Sequence, residues 1–386
     1  MILIAILLLI ATVILTITVM IYRKFWETGL TASVKFSDEA IVEGQHVFIK
    51  VIAENRKILP LPTLMIKFEM NRNVQCLDSS NTSITDKQYR NEFMSIMPYE
   101  RVTRLIEAIG KKRGFYAIED IGFVTTDILF RSLFNKREEN GATLYVYPAC
   151  SKYIQNSEIF CHMTGEIVTN RALWEDSMEF RGIRDYTQTD PMQKINWKAS
   201  AKSGGLKVNQ YHDSMSQRLT IFLNVSQKEI LKYYDLIEES IRIVRNFIEA
   251  FVGQGIPVRI ISNGIDPRSG QALHIREGAG MAHIDACLKK LAVMDIYGEV
   301  RDMSEIIRER KELEKSAEWE KDVSILISAE RTKELEQTYA EYVGTKGRAN
   351  WLIPIHKSKY LQEEEKRHQK SSAVRTEYIV VEELEG

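Results

Sequence analysis

The sequence predicts an α+β multidomain protein with an N-terminal transmembrane helix, a β-sandwich and then an α/β domain with a mainly parallel sheet. Three observations predict this architecture. A charge-free apolar run fills residues 2–21, alternating apolar and polar residues mark short strands over residues 31–149, and strands alternate with helices over residues 217–356. The 386 residues are enough for two folded units and further segments.

The apolar run "ILIAILLLIATVILTITVMI" predicts a membrane anchor within residues 1–25. A helix of this length, at about 1.5 Å per residue, reaches about 30 Å, which is the thickness of a hydrocarbon core. A cleaved signal peptide would have a basic region before the run and a small-residue cleavage site after it. Met1 instead leads straight into the run, and Arg23 and Lys24 follow it. We therefore expect an uncleaved single-pass anchor with the rest of the chain in the cytoplasm.

The overall charge argues against a nucleic-acid partner. The 52 Lys and Arg residues balance 53 Asp and Glu residues, giving a net charge of −1. The four cysteines are widely spaced and form no CxxC pair. This spacing predicts reduced thiols rather than a zinc site or a disulfide framework. No cofactor and no small-molecule substrate are expected.

Residues 31–149 predict a small antiparallel sandwich of five or six strands. The segments "ASVKFS", "HVFIKVIAEN" and "TLMIKFEM" alternate apolar and polar residues, and turn residues such as Glu43-Gly44-Gln45 separate them. Pro60 and Pro62 oppose a helix in this region. We expect this domain to carry no catalytic or metal site.

Residues 217–356 predict a doubly wound α/β domain. "RLTIFLNV" (218–225) is an apolar run typical of a buried strand, and a helix with apolar residues at spacings of three and four follows it. The strands "PVRIISN", "VSILIS" and "RANWLIPI" come later, separated by helical segments. Residues 357–386 predict a charged, mostly disordered tail.

The end of the first of these strands resembles a von Willebrand factor A-type domain. In that family the strand ends in Asp-x-Ser-x-Ser, and a later Thr and Asp complete a divalent-cation site. This chain has Asn224, Ser226 and Lys228 at those positions, and Ala329 stands where the later Asp is expected. Because Asn224 carries no charge and Lys228 brings a positive one, we expect a degenerate site without metal, whose loops pack or bind protein.

The connecting segment, residues 150–216, contains "FRGIRDYTQTDPMQKINWKASAKSGGLKV" (180–208). This run resembles the bacterial family called domain of unknown function 58, whose pattern is F-R-x-x-R-x-Y-x-x-G-D-x-x-R-x-I-x-W-x-x-S-A followed by L-x-V. The family's Gly is Thr189 here, and Gln193-Lys194 stand around its usual Arg. The Arg-Gly-x-Tyr and Thr-Asp elements within residues 111–130 also match the family. The residues predicted to form an interaction motif are Phe180, Arg181, Arg184, Tyr186, Asp190, Trp197 and Ser200.

The motif residues allow two interpretations. Arg side chains form paired hydrogen bonds with carboxylates, and Trp and Tyr supply apolar contact area. The run is therefore either a seam that ties the sandwich to the α/β domain or a docking surface for another protein. Neither His162 nor His212 has a nearby partner nucleophile, which disfavours catalysis. We also expect Ser203-Gly204-Gly205 to form a hairpin turn.

The family resemblance implies a partner and a role. Members are often encoded beside MoxR-type AAA+ ATPases, which are thought to assemble or mature other proteins. The resemblance therefore implies a membrane-anchored, non-catalytic scaffold or adaptor for such an ATPase. Two alternatives remain open: a metal-dependent adhesion or ligand-binding domain, and an enzyme of the cell envelope.

Overall fold

A computed structural model describes the chain over residues 2–78, 80–127, 130, 132–165, 180–187, 192, 195–211, 218–228, 232–313, 323–344, 349–360 and 374–382. The protein is α+β with mixed sheets. It divides into two compact units, one of residues 1–149 with 291–293 and one of residues 150–290 with 294–386.

The first unit begins with helix α1 (Ile2–Phe25). Its segment Ile6–Phe25 is long and apolar enough to span a membrane. Apolar side chains such as Leu7 and Ile14 are exposed on it, whereas Tyr22 and Trp26 are buried against the sandwich. The apolar helix expected from the sequence is thus present, and its last turn is packed on protein.

Ten strands make the sandwich, more than the five or six expected. A four-stranded sheet in the order β1-β3-β8-β5 faces a six-stranded sheet in the order β2-β10-β9-β4-β7-β6. Alternate residues of β3, such as Val47, Ile49 and Val51, point into a shared apolar core. The strands are β1 (Leu30–Phe36), β2 (Ala40–Val42), β3 (His46–Asn55), β4 (Leu61–Asn71), β5 (Val74–Cys76), β6 (Thr82–Ile84), β7 (Lys87–Ile96), β8 (Arg101–Gly110), β9 (Gly114–Thr126) and β10 (Leu133–Tyr147).

The second unit begins with a 3₁₀ turn (Ile154–Asn156) and helix α2 (158–165). A two-stranded antiparallel sheet follows, made of β11 (Phe180–Asp185) and β12 (Lys207–Tyr211), with helix α3 (Trp197–Ser203) between the two strands. The predicted hairpin turn at Ser203-Gly204-Gly205 is wrong. Gly204 instead ends α3 in the left-handed conformation, at φ 72°, because only a residue without Cβ adopts it freely.

A six-stranded sheet in the order β15-β14-β13-β16-β17-β18 forms the centre of the second unit. All neighbouring strands are parallel except β15, which runs antiparallel at one edge. The strands are β13 (Leu219–Asn224), β14 (Val258–Asp266), β15 (Gln271–Gly278), β16 (Val323–Ser328), β17 (Ala349–His356) and β18 (Val374–Val381). This is a doubly wound sheet, with its first strand in the interior.

Helices cover both faces of this sheet. They are α4 (Tyr234–Val252), α5 (Met281–Val293), α6 (Met303–Leu313) and α7 (Lys333–Val343). Helix α4 packs across β13, β14, β16 and β17, whereas α6 and α7 pack on the face that presents Phe222, Leu326 and Trp351. The face of α4 toward the sheet is a continuous apolar stripe, as its 3.6-residue periodicity predicts.

The predicted disordered tail is wrong for residues 374–381. These residues form β18, which pairs with β17 along its whole length, from Ala349 opposite Val374 to His356 opposite Val381. The charged residues before it hide the strand in the sequence, and its apolar residues become buried only through this long-range pairing.

Candidate functional site at the strand ends

Polar side chains gather at the carboxyl ends of β13 and β16. From β13 the chain goes to β14 on one side, and it later enters β16 on the other side of β13. The winding direction of the sheet therefore reverses between β13 and β16. Open α/β sheets bind ligands at this point. We call the residues there the strand-end cluster, and its members are Asn224, Ser226, Lys228, Asn263, Asp302, Ser328 and Glu330.

Asn224 is the centre of the cluster and is buried. Its Nδ2 donates to Oγ of Ser328 at 2.9 Å, and its Oδ1 accepts from Nδ2 of Asn263 at 2.8 Å. The Oδ1 atom also accepts from the backbone N–H of Ser226 at 3.0 Å. Both ends of the Asn224 amide are therefore engaged with the protein itself, which satisfies its buried polar atoms.

Lys228 supplies the positive charge of the cluster. Its Nζ lies 2.5 Å from Oδ2 of Asp302, just before α6. The hydrogen bond that Lys228 donates to Asp302 raises the pKa of Lys228 above its ordinary value. Burial alone would raise the pKa of Asp302, but the Lys228 ammonium and hydrogen bonds from Ser304 together lower it. Both groups are therefore charged at neutral pH, and the ammonium neutralises the carboxylate.

Glu330 faces the cluster from the other side. Its Oε2 lies 3.1 Å from Oγ of Ser226, while its Oε1 is buried and has no hydrogen-bond partner among the described residues. Burial raises the pKa of Glu330, although the Ser226 hydrogen bond and the Lys228 charge act in the opposite direction. Glu330 is thus the residue of this loop that contacts Ser226. It follows Ala329, which stands where the von Willebrand factor A-type resemblance expects the later Asp.

The cluster is arranged as an internally paired network. Its carboxylate and amide oxygens are of the type that hard cations bind, but the cation beside them is the Lys228 ammonium. Over the described ranges, no group of three or more His, Cys, Asp and Glu side chains is placed to hold a metal.

A cavity of about 410 Å³ adjoins the cluster. Lys228, Arg331 and Lys359 line it together with an apolar wall that includes Leu236 and Ile353. Nζ of Lys359 lies 4.4 Å from the ring centre of Tyr233, and Arg331 donates to the Tyr378 hydroxyl at 2.9 Å. The three cations outnumber the Glu330 carboxylate that also lines the cavity, and with the apolar wall they suit an anionic group attached to an apolar body.

The described motif residues lie apart from the strand-end cluster in the chain, on β11, just after it and on α3. Ser200 Oγ donates to the Asn196 carbonyl at 2.8 Å and accepts from the Lys207 N–H at 2.8 Å, which ties α3 to β12. The Tyr186 N–H donates to the Leu206 carbonyl at 3.0 Å. Arg184 donates to the backbone carbonyl of Asp185 at 3.1 Å.

The remaining motif residues divide into exposed and undescribed ones. Trp197, at the start of α3, is 65% exposed, and Ile183 and Leu206 are each 45% exposed. Phe180 and Arg181 contribute backbone to β11, but their side chains lie outside the described part of the chain, as does the whole of Asp190.

Two residues of the strand-end cluster were missed in the sequence. Asn263 lies near the carboxyl end of β14, where the strand-end rule would have pointed to it. Asp302 lies just before α6, and its carboxylate accepts a hydrogen bond from the N–H of Ser304 in the first turn at 2.9 Å. An Asp at the start of a helix is the only sequence signal for it.

No protein-family model matches the chain, and no curated protein matches it. Among solved structures, it is similar to a CARDB domain from Pyrococcus furiosus, with 14% identity over 30% of this chain and 93% of that chain and a TM-score of 0.21. It is similar to a type I cohesin–dockerin structure from Clostridium thermocellum, with 11% identity over 30% of this chain and 99% of that chain and a TM-score of 0.21. A cohesin from Archaeoglobus fulgidus shares 10% identity over 34% of this chain and 97% of that chain, also with a TM-score of 0.21. These likenesses are to β-sandwich-like domains and carry no information on activity.

Proposed function

We propose that the protein is a membrane-anchored, non-catalytic adaptor that docks a MoxR-type AAA+ ATPase through the α3 surface. We define this surface as Ile183, Trp197 and Leu206 with the exposed lysines of α3, Lys198 and Lys202. In this proposal the ATPase supplies energy for assembling or maturing other proteins, and the chain holds it at the membrane. Its folded units lie in the cytoplasm, as Arg23 and Lys24 after the apolar run favour.

The exposure of Trp197 is the observation that carries the proposal. An indole has a large apolar area, and solvent contact with most of it is unfavourable in a monomer. Trp is also among the residues that contribute most to protein interfaces. The neighbouring Ile195 and Val208 are buried and Asn196 caps α3, so the helix is held in place while its Trp stays outside. This arrangement is what a docking surface at α3 requires.

The strand-end cluster supports a von Willebrand factor A-like assignment for the second unit. The unit has an interior first strand, helices on both faces and a polar loop after the first strand, as such a domain requires. Lys228 occupies this loop and pairs with Asp302. We infer that the loop acts without a divalent cation, which disfavours the metal-dependent adhesion alternative.

Photo-crosslinking from the α3 surface tests the adaptor proposal. A benzoylphenylalanine would replace Trp197 in the full-length chain in its own cells, and Met281, which is 79% exposed on α5, would be replaced in a matched control. We expect an ultraviolet-dependent adduct with an AAA+ ATPase from position 197 only, identified by mass spectrometry. An adduct of equal yield from position 281, or no ATPase adduct from position 197, contradicts the proposal.

The adjoining cavity favours a second candidate function, binding of an anionic ligand. Lys228, Arg331 and Lys359 line the cavity beside an apolar wall. This reading predicts that a Lys359→Glu variant loses affinity for the ligand while crosslinking from position 197 is unchanged.

A further inference from the structure

Three loops of the sandwich lie at the end where α1 joins it. Antiparallel pairing places Glu54 of β3 opposite Arg101 of β8, Leu61 of β4 opposite Ile96 of β7, and Leu64 of β4 opposite Thr125 of β9. Residues 56–60 of the β3–β4 connection, residues 97–100 of the β7–β8 connection and the described residues 127, 130 and 132 of the β9–β10 connection are therefore at one end. β1, which follows α1, starts at the same end, since Leu30 pairs with Asn55. We call these three connections the anchor-end loops.

Direct contacts join α1 to this end of the sandwich. The Tyr22 hydroxyl donates to the Pro60 carbonyl at 2.9 Å, in the β3–β4 loop. The Trp26 ring stacks on Phe134 of β10 with 5.7 Å between ring centres, and Glu27 pairs with Lys136 at 3.5 Å. Tyr22 lies inside the apolar span Ile6–Phe25, about 4.5 Å before its end at the helical rise. If the span crosses a bilayer, the loop that holds Tyr22 lies at the depth of the bilayer surface.

The anchor-end loops expose large apolar side chains. Ile58 is 77% exposed, Met97 60%, Tyr99 72%, Phe130 64% and Leu133, at the start of β10, 69%. Exposed apolar residues grouped on one surface mark an interaction site, whereas scattered ones need no explanation. These five come from the three connections and the start of β10, at the end of the sandwich where the chain leaves the apolar helix.

The backbone holds two of these rings outward in an unfavourable conformation. Tyr99 and Phe130 have φ angles of 57° and 55°, a left-handed region that bulky residues seldom adopt. Such conformations persist where the surrounding structure imposes them, and they cluster at functional sites. The Tyr99 N–H donates to the Lys57 carbonyl, and the Asn55 amide donates to the carbonyls of both Leu59 and Met97, so two of the loops are locked together.

The charged groups of these loops are largely engaged within the protein. Arg56 pairs with Glu54 at 2.7 Å, and the Glu100 carboxylate accepts from the Met97 N–H at 2.6 Å. Burial lowers the pKa of Lys57 to about 8. Arg56 and Glu100 remain exposed, and Lys57 Nζ has no hydrogen-bond partner among the described residues. The large apolar side chains exposed among them suit contact with acyl chains and aromatic belts.

We propose that the anchor-end loops insert Ile58, Met97, Tyr99, Phe130 and Leu133 into the bilayer surface beside α1, so that the sandwich sits directly on the membrane. The inference rests on the membrane anchoring in the proposed function and adds a second, peripheral contact to it. The loops then fix the sandwich at a set depth and orientation. A single helix followed by a free linker would leave it to move.

Lipid-borne quenching tests the insertion. The full-length chain, with Cys150→Ser and Cys161→Ser and with Cys76 and Cys287 left buried, would carry a single new cysteine labelled with an environment-sensitive nitrobenzoxadiazole dye. The labelled positions are Ile58→Cys, Met97→Cys and Leu133→Cys, in nanodiscs of phosphatidylcholine with or without brominated acyl chains. We expect blue-shifted emission and loss of intensity on the brominated lipid at all three positions.

Two control positions, one at the far end of the sandwich and one within α1, distinguish failure of the loop insertion from failure of the anchor. Arg72→Cys, in the β4–β5 turn, lies at the far end of β4, about 35 Å from Leu61 over its 11 residues, and should not be quenched. Ile14→Cys, in the middle of α1, should be quenched strongly. If loop probes behave like Arg72→Cys while Ile14→Cys is quenched, the loop insertion is wrong and the anchor stands. If Ile14→Cys is also unquenched, the anchor and the insertion both fail.

A charge variant gives a second measurement. Ile58→Glu with Met97→Glu places carboxylates on exposed positions and should reduce quenching of a probe at Leu133→Cys, because carboxylates resist entry into the bilayer. Arg72→Glu should leave that quenching unchanged. Equal quenching in both variants overturns the proposal.

Discussion

At the scale of single residues, Lys228 decides the chemistry of the strand-end cluster. Its ammonium lies beside the Asp302 carboxyl group and near that of Glu330, and its positive charge offsets the negative charge of these groups. An exposed pair of this kind contributes about 1 kcal/mol or less to folding, so its main effect is on what else the cluster binds. The Lys228 ammonium brings to the cluster the positive charge that a bound metal ion would otherwise bring.

Replacing the lysine should therefore create a metal site. We expect the double variant Lys228→Ser with Asn224→Asp to gain a rise in melting temperature on addition of Mg²⁺ that EDTA reverses, because it restores a carboxylate and a hydroxyl and removes the competing cation. The unmodified chain and the variant Asn224→Asp alone should not respond. A Mg²⁺ response of the unmodified chain would show that Lys228 does not exclude the ion.

At the scale of elements, strand β18 closes the second unit. Its Glu377 carboxylate accepts from the N–H groups of Glu158 and Ile159 and from the Ser157 hydroxyl, at 2.8 to 2.9 Å. It thereby caps the start of α2, a segment more than 200 residues earlier in the chain. Free N–H groups and a partial positive charge at a helix start favour a carboxylate there.

Loss of this cap should loosen α2 and β18 together. We expect Glu377→Ala to cost about 1–2 kcal/mol of local stability and to speed hydrogen exchange over residues 158–165 and 374–381. Exchange over β3 of the sandwich should not change. Glu382→Ala removes only an exposed pair with Lys152 and serves as the control. Unchanged exchange in α2 of Glu377→Ala would refute the capping role.

At the scale of the whole molecule, the proposed cytoplasmic location of the folded units can be tested with the chain's own cysteines. If the folded units are cytoplasmic, a membrane-impermeant maleimide should label the chain only after the cells are opened. Burial raises the pKa of Cys150 to about 11, so at neutral pH the label should go mainly to Cys161, and Cys161→Ser should remove most of it. Labelling in intact cells, above that of Cys161→Ser, would place the units outside.

Patterns within one segment predicted the helix or strand that the segment forms. They did not predict which distant segments pair with each other. The apolar run, the alternating strands of the sandwich and the periodic face of α4 each contain their own signal within one segment. Strand β18 and the partners of Asn224 do not, because their burial depends on segments far away in the chain. In the cluster, Asn224, Ser226 and Lys228 were found from their place after a strand. The same strand-end rule would have pointed to Asn263, whereas Asp302 became visible only when the sheet brought the loops together.

The Glu377 cap also means that α2 is capped late in synthesis, because its capping residue is made long after the helix itself. The ribosome completes α2 long before it reaches residue 377, and until β18 arrives, the apolar edge of β17 has no neighbour on that side. An unpaired apolar edge is a template for aggregation. The sandwich, whose strands all precede residue 150, folds without waiting. A nascent chain thus passes through a stage in which all strands of the sandwich are made while the second unit still lacks β18.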